Sequence, residues 1–171
     1  MNFKNYIICF LGIKTTNAWE QYKLNEVTDY KSSSLSIDSI SDDGLYNLYD
    51  AQGVIGKTNS EIQKKEYITI IKDGSGVGKI RKMEKNTAFI GTMGAIVNTY
   101  SDLNFLFSIL EKFNFDKYIS GSTIPHIYYK DYGTEKINIP KRKEQMYIGS
   151  IFENIGNLIT LHHRKYIFFN T

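Results

Sequence analysis

The sequence predicts an α+β fold, a mixed α/β domain followed by a C-terminal helix. Strand-like apolar runs are interspersed with a helical pattern in no regular strand–helix–strand alternation. The last stretch, from Lys143, carries an apolar stripe at helical spacing. The chain of 171 residues, 42% hydrophobic, is the size of one domain with a sizeable core. Its 13 Tyr and 10 Phe against two Pro exclude wholesale disorder.

Each element follows in order. Residues 6–13 form an apolar stretch after Lys4, too short to span a bilayer and without an A-x-A-like cleavage site. They read as a strand or the remnant of a preceding segment rather than a signal peptide. Residues 19–27 read as a short ordered stretch, and the Ser- and Asp-rich residues 31–44 as a surface loop. Tyr46-Asn47-Leu48-Tyr49 alternate as a brief strand that Gly53 and Gly56 end. Tyr67-Ile68-Thr69-Ile70-Ile71, β-branched and apolar, is a strong strand candidate that runs into Asp73-Gly74-Ser75-Gly76-Val77-Gly78-Lys79. Ala88-Phe89-Ile90-Gly91 and Met93-Gly94-Ala95-Ile96-Val97 predict two further strands around a turn.

Leu103, Leu106, Leu110 and Phe113 recur at helical spacing, so a helix capped by Ser101 should run to about Phe115, with Asp102 in its positive first turn. Ile124-Pro125-His126-Ile127-Tyr128-Tyr129 reads as extended, and Ile137-Asn138-Ile139 as a strand closed by Pro140. In the final helix Ile148, Ile151, Phe152, Ile155, Leu158 and Ile159 form the stripe, and His162-His163-Arg164-Lys165 suit a helix C-terminus. No internal repeat is present.

Lys plus Arg (21) exceed Asp plus Glu (18), a net charge of +3 that permits an anionic partner without demanding one. The single Cys9 excludes an intrachain disulfide and a cysteine-built zinc site, which fits a reducing, cytoplasmic compartment. Three histidines give no catalytic constellation. A metal-dependent nuclease needs convergent carboxylates with a lysine beside them. No Glu-x-Lys occurs, and the one Asp-x-Lys is Asp29-Tyr30-Lys31. A base-modifying methyltransferase needs a cofactor loop and a proline-aromatic platform for the flipped base, and neither Pro125 nor Pro140 sits in one.

The glycine turn superficially resembles a phosphate-cradling loop, but a Walker loop has four residues between its glycines and Ser or Thr after the lysine. Here Gly74 to Gly78 encloses three, and Ile80 follows Lys79. The third glycine of a dinucleotide fingerprint would fall on Lys79. What remains is a flexible turn followed by Lys79, Arg81, Lys82 and Lys85. It is either a place for a polyanion to approach closely or a hairpin turn with a solvated charged face. His126, in a polar-aromatic stretch, is either a DNA-facing group or a core or rim histidine. The C-terminal stripe either packs on its own domain or docks on a partner.

Trp19-Glu20-Gln21 followed by Lys23-Leu24-Asn25-Glu26-Val27 resembles the opening of a target-recognition domain in type I restriction-modification specificity subunits. Residues 70–79 resemble the strand and glycine turn midway through such domains. Residues 120–127 with Ile137-Asn138-Ile139-Pro140, then Glu144-Gln145 and Ile148-Gly149, resemble the C-terminal part, which is the most specific block. The resemblance runs from about Ala18 to Lys165 in the family's order. It implies a single mixed α/β target-recognition domain with a twisted sheet at residues 18–142, an N-terminal extension at 1–17, and a truncated spacer or dimerisation helix at 143–171.

The implied function is non-catalytic, sequence-specific recognition of one half of a split DNA site, directing adenine methylation and restriction. The implied partners are double-stranded DNA, a modification (methyltransferase) subunit, a restriction subunit, and a second specificity half or a second copy. No cofactor, metal or membrane is expected. In this reading Lys57, Lys79, Arg81 and Lys82 hold phosphates, and Ser75, Thr123 and His126 read base edges in the major groove. Ile151, Ile155, Leu158 and Ile159 bind a partner. The competing expectations are a helix-mediated interaction module without DNA affinity, a silent truncated specificity cassette, or a stand-alone nuclease.

Overall fold

A computed structural model of the chain describes residues 19–169, with side chains described through residue 162. The N-terminal extension read over residues 1–17, with its apolar stretch and Cys9, lies outside the described residues. In chain order the elements are β1 (Glu20–Lys23), α1 (Leu24–Val27), β2 (Thr28–Ser32), β3 (Tyr46–Tyr49), β4 (Val54–Thr58) and β5 (Tyr67–Ile71). There follow β6 (Ile80–Met83), β7 (Ala88–Phe89), β8 (Met93–Asn98), α2 (Leu103–Leu110), α3 (Tyr129–Tyr132), β9 (Lys136–Ile139) and α4 (Arg142–Phe169). Short 3-10 turns occupy Ile37–Ser39 and Asp116–Tyr118. The mixture of open sheets and helices is the α+β architecture that the sequence predicts.

The chain divides into two compact units. The larger, residues 22–100 with 113–137, holds the four-stranded and three-stranded sheets. Its main sheet is antiparallel, ordered β2-β8-β5-β6. All five residues of β5 are buried, because an interior strand covered on both faces needs a continuous apolar run rather than an alternating one. A second sheet, ordered β4-β3-β7, pairs β3 antiparallel with β4 and parallel with β7. Tyr67, Met83, Phe89, Met93 and Ala95 make one buried cluster, and Leu35, Leu48 and Ala88 another. Burial lifts the Tyr67 hydroxyl to a pKa of about 12, with a smaller contribution from Tyr49 and partial opposition from its hydrogen bond to Thr87.

The glycine pattern predicts an end of the β3 strand at Gly53 and Gly56, but Gly56 lies inside β4. A Cβ there would stand 2.8 Å from the Ile40 side chain, so the glycine marks a close approach rather than a break. Asp50 makes the turn between β3 and β4, its Oδ1 accepting from Gln52 N and Gly53 N at 2.8 Å each.

The smaller unit, which among the described residues spans 19–21, 101–112 and 138–169, contains α2 and α4. The α2 cap is Asp102, not Ser101: Asp102 Oδ1 accepts from Phe105 N at 3.1 Å while Ser101 is fully buried. The helix ends at Leu110 instead of about Phe115. Phe113 and Phe115 belong to the larger unit, where Phe113 lies 4.7 Å from Phe115 and Phe115 packs edge-on to Tyr132 at 5.4 Å. Aromatic packing thus overrides the helical periodicity.

Helix α4 begins one residue before the predicted start and packs on α2 through Gly149, where a Cβ would stand 2.6 Å from Asp102 Oδ1. Gln145, fully buried, accepts from Asp102 N at 2.8 Å and donates to Pro140 O at 2.8 Å. Trp19 Nε1 donates to Glu144 Oε1 at 3.0 Å. The Trp19 and Glu144-Gln145 motifs that carry the family resemblance therefore hold the start of α4 in place. No helix among the described residues is long and apolar enough to cross a membrane.

Candidate nucleic-acid interface

The glycine turn closes the β5–β6 hairpin. Gly74 and Gly78 have φ of +95° and +85°, which side-chain-bearing residues rarely adopt. The turn is tied by Gly78 N to Ile71 O at 2.9 Å, Val77 N to Gly74 O at 3.1 Å and Lys79 N to Gly76 O at 3.0 Å. Of the two sequence readings of this segment the hairpin turn is therefore present, and what the turn presents depends on its neighbour.

That neighbour is the loop of residues 120–127. Gly74 N donates to Pro125 O at 2.9 Å and Ile127 N to Lys72 O at 3.0 Å. His126 and Ser120 exchange two backbone bonds, at 2.8 and 2.9 Å. A narrow backbone ladder thus joins the glycine turn, residues 125–127 and Ser120. It carries Ser75 and Thr123, both exposed, and the half-buried His126 on adjoining loops. The three base-reading candidates, far apart in the sequence, share one backbone framework.

The basic candidates separate. Lys79 ends the turn and is exposed. Lys82 and Arg81 occupy successive positions of β6, opposite Ile68 and Thr69, so they leave the sheet on opposite faces. Lys82 is exposed, whereas Arg81 is half-buried and donates from Nη2 to Ala51 O at 3.2 Å and Gln52 O at 3.4 Å. Its guanidinium is committed to the β3–β4 turn. Lys57 is exposed on β4, opposite Asn47, in a different sheet from Arg81 and Lys82.

Sequence reasoning missed Tyr128 and Lys130. Tyr128 is half exposed, packs edge-on to the His126 ring at 5.0 Å, and has Lys130 Nζ 5.2 Å from its ring centre. The signal was present: Tyr129 and Tyr132, three apart and followed by Gly133, mark the short helix α3 that turns the chain after the loop. Below the turn Tyr129 stacks on Tyr30 at 4.9 Å and bonds Thr28 O at 2.8 Å. The Tyr30 hydroxyl is pushed up to about 12 by burial and then by the Asp73 carboxylate, so it stays neutral as part of the support.

The apolar stripe divides along α4. Ile148 is fully buried, Ile151 and Ile155 are half-buried, and Leu158 and Ile159 are exposed together with Leu161. Among the described residues no three His, Cys, Asp or Glu side chains converge where a metal ion could be held.

Three solved structures share the fold. The type I restriction-modification S subunit from M. genitalium matches with a TM-score of 0.63 and 24% identity, over 89% of this chain and 45% of that one. A structure determined for complex assembly and conformational transition of the type I R-M system matches at 0.70 and 16% identity, over 90% and 42%. The HsdS subunit from Thermoanaerobacter tengcongensis matches at 0.64 and 16% identity, over 90% and 41%. The chain therefore spans less than half the length of each of these structures. No curated protein matches the sequence at a significant level. The family model for the type I restriction modification DNA specificity domain matches residues 16–167, nearly the whole chain, and the chain belongs to that family.

Proposed function

We propose that this chain is the DNA-reading half of a type I specificity subunit: a non-catalytic, cytoplasmic domain that recognises one part of a split duplex site and directs adenine methylation and restriction there. The observation that carries the reading is the ladder joining the glycine turn to residues 120–127, which gathers Ser75, Thr123 and His126 beside Lys79 in a specificity-domain fold. Lys57, Lys79 and Lys82 supply phosphate contacts from exposed positions, while Arg81 serves the interface by holding the β3–β4 turn. Residues 18–142 form the recognition region. The helix from residue 143 meets the modification subunit, the restriction subunit and a second specificity half through Ile151, Ile155, Leu158 and Ile159.

A second reading, a scaffold that binds partners without touching DNA, is favoured by one observation, the exposure of Leu158 and Ile159 at 66% and 52%. Co-expression with a cognate modification subunit in a methylation-free host, followed by mapping of N6-methyladenine, separates the two. A new split motif is the expected outcome. An unmethylated genome with both proteins soluble overturns the DNA-reading proposal.

A further inference from the structure

The Nδ1 atom of His126 lies 3.2 Å from the carbonyl oxygen of Ile124. A carbonyl has no proton to give, so Nδ1 is the donor. Neutral imidazole carries one N–H, and its use at Nδ1 leaves Nε2 as a lone-pair acceptor. The ring is held in this orientation by the loop. Its backbone is paired in both directions with Ser120. Gly121, at φ +90°, leaves the space the ring fills, since a Cβ there would stand 2.8 Å from Nδ1 and 2.9 Å from Cε1. Tyr128 packs against the ring edge-on at 5.0 Å. Among the described residues no hydrogen bond occupies Nε2.

We infer that His126 reads an exocyclic amino group on the major-groove edge of one base, adenine N6 or cytosine N4, through Nε2. The inference rests on the DNA-reading function proposed above and names what this position of the site recognises. An acceptor fixed by the loop pairs with an amino donor and faces lone pairs on guanine O6 and N7 or thymine O4, so the preference at that position is adenine or cytosine over guanine or thymine. Discrimination comes from the fixed tautomer: a freely turning ring would offer either nitrogen.

Two substitutions separate the ring's two nitrogens. In His126→Asn the side-chain amide stands near the position of Nδ1 and keeps a donor for Ile124 O, with nothing at Nε2. In His126→Gln the amide reaches the position of Nε2 and offers both donor and acceptor, the pair that reads adenine N6 and N7 together. The full chain and both variants are used to select from a randomised duplex library at low salt, and the enriched sequences are compared.

The wild type is expected to enrich adenine or cytosine at one position. His126→Asn should lose that preference, by about 10-fold in enrichment at that position alone, with the preferences at the other positions retained. His126→Gln should narrow the position to adenine. Identical enriched motifs for all three proteins overturn the role of His126 while leaving the DNA-reading function standing. A wild-type chain that enriches no sequence overturns the DNA-reading function itself.

Discussion

Single side chains in this domain separate groups available to a ligand from groups the fold already uses. Lys79 and Arg81, two residues apart, both look like phosphate contacts in the sequence, but Arg81 is committed to Ala51 O and Gln52 O. Arg81→Ala should therefore lower stability by about 1–2 kcal/mol in urea unfolding, at about 1 kcal/mol per hydrogen bond. Lys79→Ala should stay within about 0.5 kcal/mol of the parent. In duplex titrations Lys79→Ala should weaken all sequences alike and reduce the salt slope by about 1. An unchanged slope removes Lys79 from the phosphate contacts. Tyr132 supplies the reverse case. Its hydroxyl is buried without a hydrogen-bond partner among the described residues, and burial drives its pKa far upward. Tyr132→Phe keeps the ring against Phe115 and Tyr129 and removes the unsatisfied oxygen. A gain of about 1 kcal/mol is expected by thermal or urea unfolding, and a loss would show that the hydroxyl has a partner.

At the scale of elements, α4 contains two glycines with opposite requirements. Gly156 is exposed with nothing within 4 Å of its Cβ position, so Gly156→Ala should stabilise by about 1 kcal/mol through helix propensity alone. At Gly149 the same methyl group would stand 2.6 Å from Asp102 Oδ1 and 2.8 Å from Phe105 N, the two atoms of the α2 cap. Gly149→Ala should cost about 2 kcal/mol despite the propensity gain, by the magnitude of overpacking. Melting curves of the two variants should therefore shift in opposite directions. The same contrast explains what was legible in the sequence. β5 and α4 were readable because local pattern decides them: a β-branched run and an apolar stripe. The end of α2, the strand β4 and the helix α3 were misread because remote groups decide them. Phe115 answers to Tyr132, Gly56 to Ile40, and the loop before α3 to the glycine turn. Ser75, Thr123 and His126 could be named from polar context, but their shared framework consists of backbone bonds that no side-chain pattern encodes.

Among the described residues, the tyrosines that burial shifts upward, Tyr30, Tyr67, Tyr118, Tyr129 and Tyr132, all lie in the larger unit. That distribution fixes how the protein responds to alkali. A hydroxyl whose pKa is higher folded than unfolded binds more protons in the native state between the two values, so stability falls as pH rises through that window. With Tyr30 and Tyr67 at about 12 when folded and an ordinary value of 10, their contribution is intact below pH 10 and is lost between about pH 10 and 12. The single Trp19 sits in the smaller unit, hydrogen-bonded to Glu144 and edge-on to Phe105 at 6.1 Å, and supplies an independent signal. In an alkaline titration, loss of the sheet signal in circular dichroism together with a cooperative rise in tyrosinate absorbance is expected in that window, ahead of any change in Trp19 fluorescence. A tyrosinate rise centred near pH 10 for every tyrosine, with the sheet signal unaltered, would show that the Tyr30 and Tyr67 hydroxyls are open to solvent and that the buried aromatic support beneath the glycine turn is not closed as described.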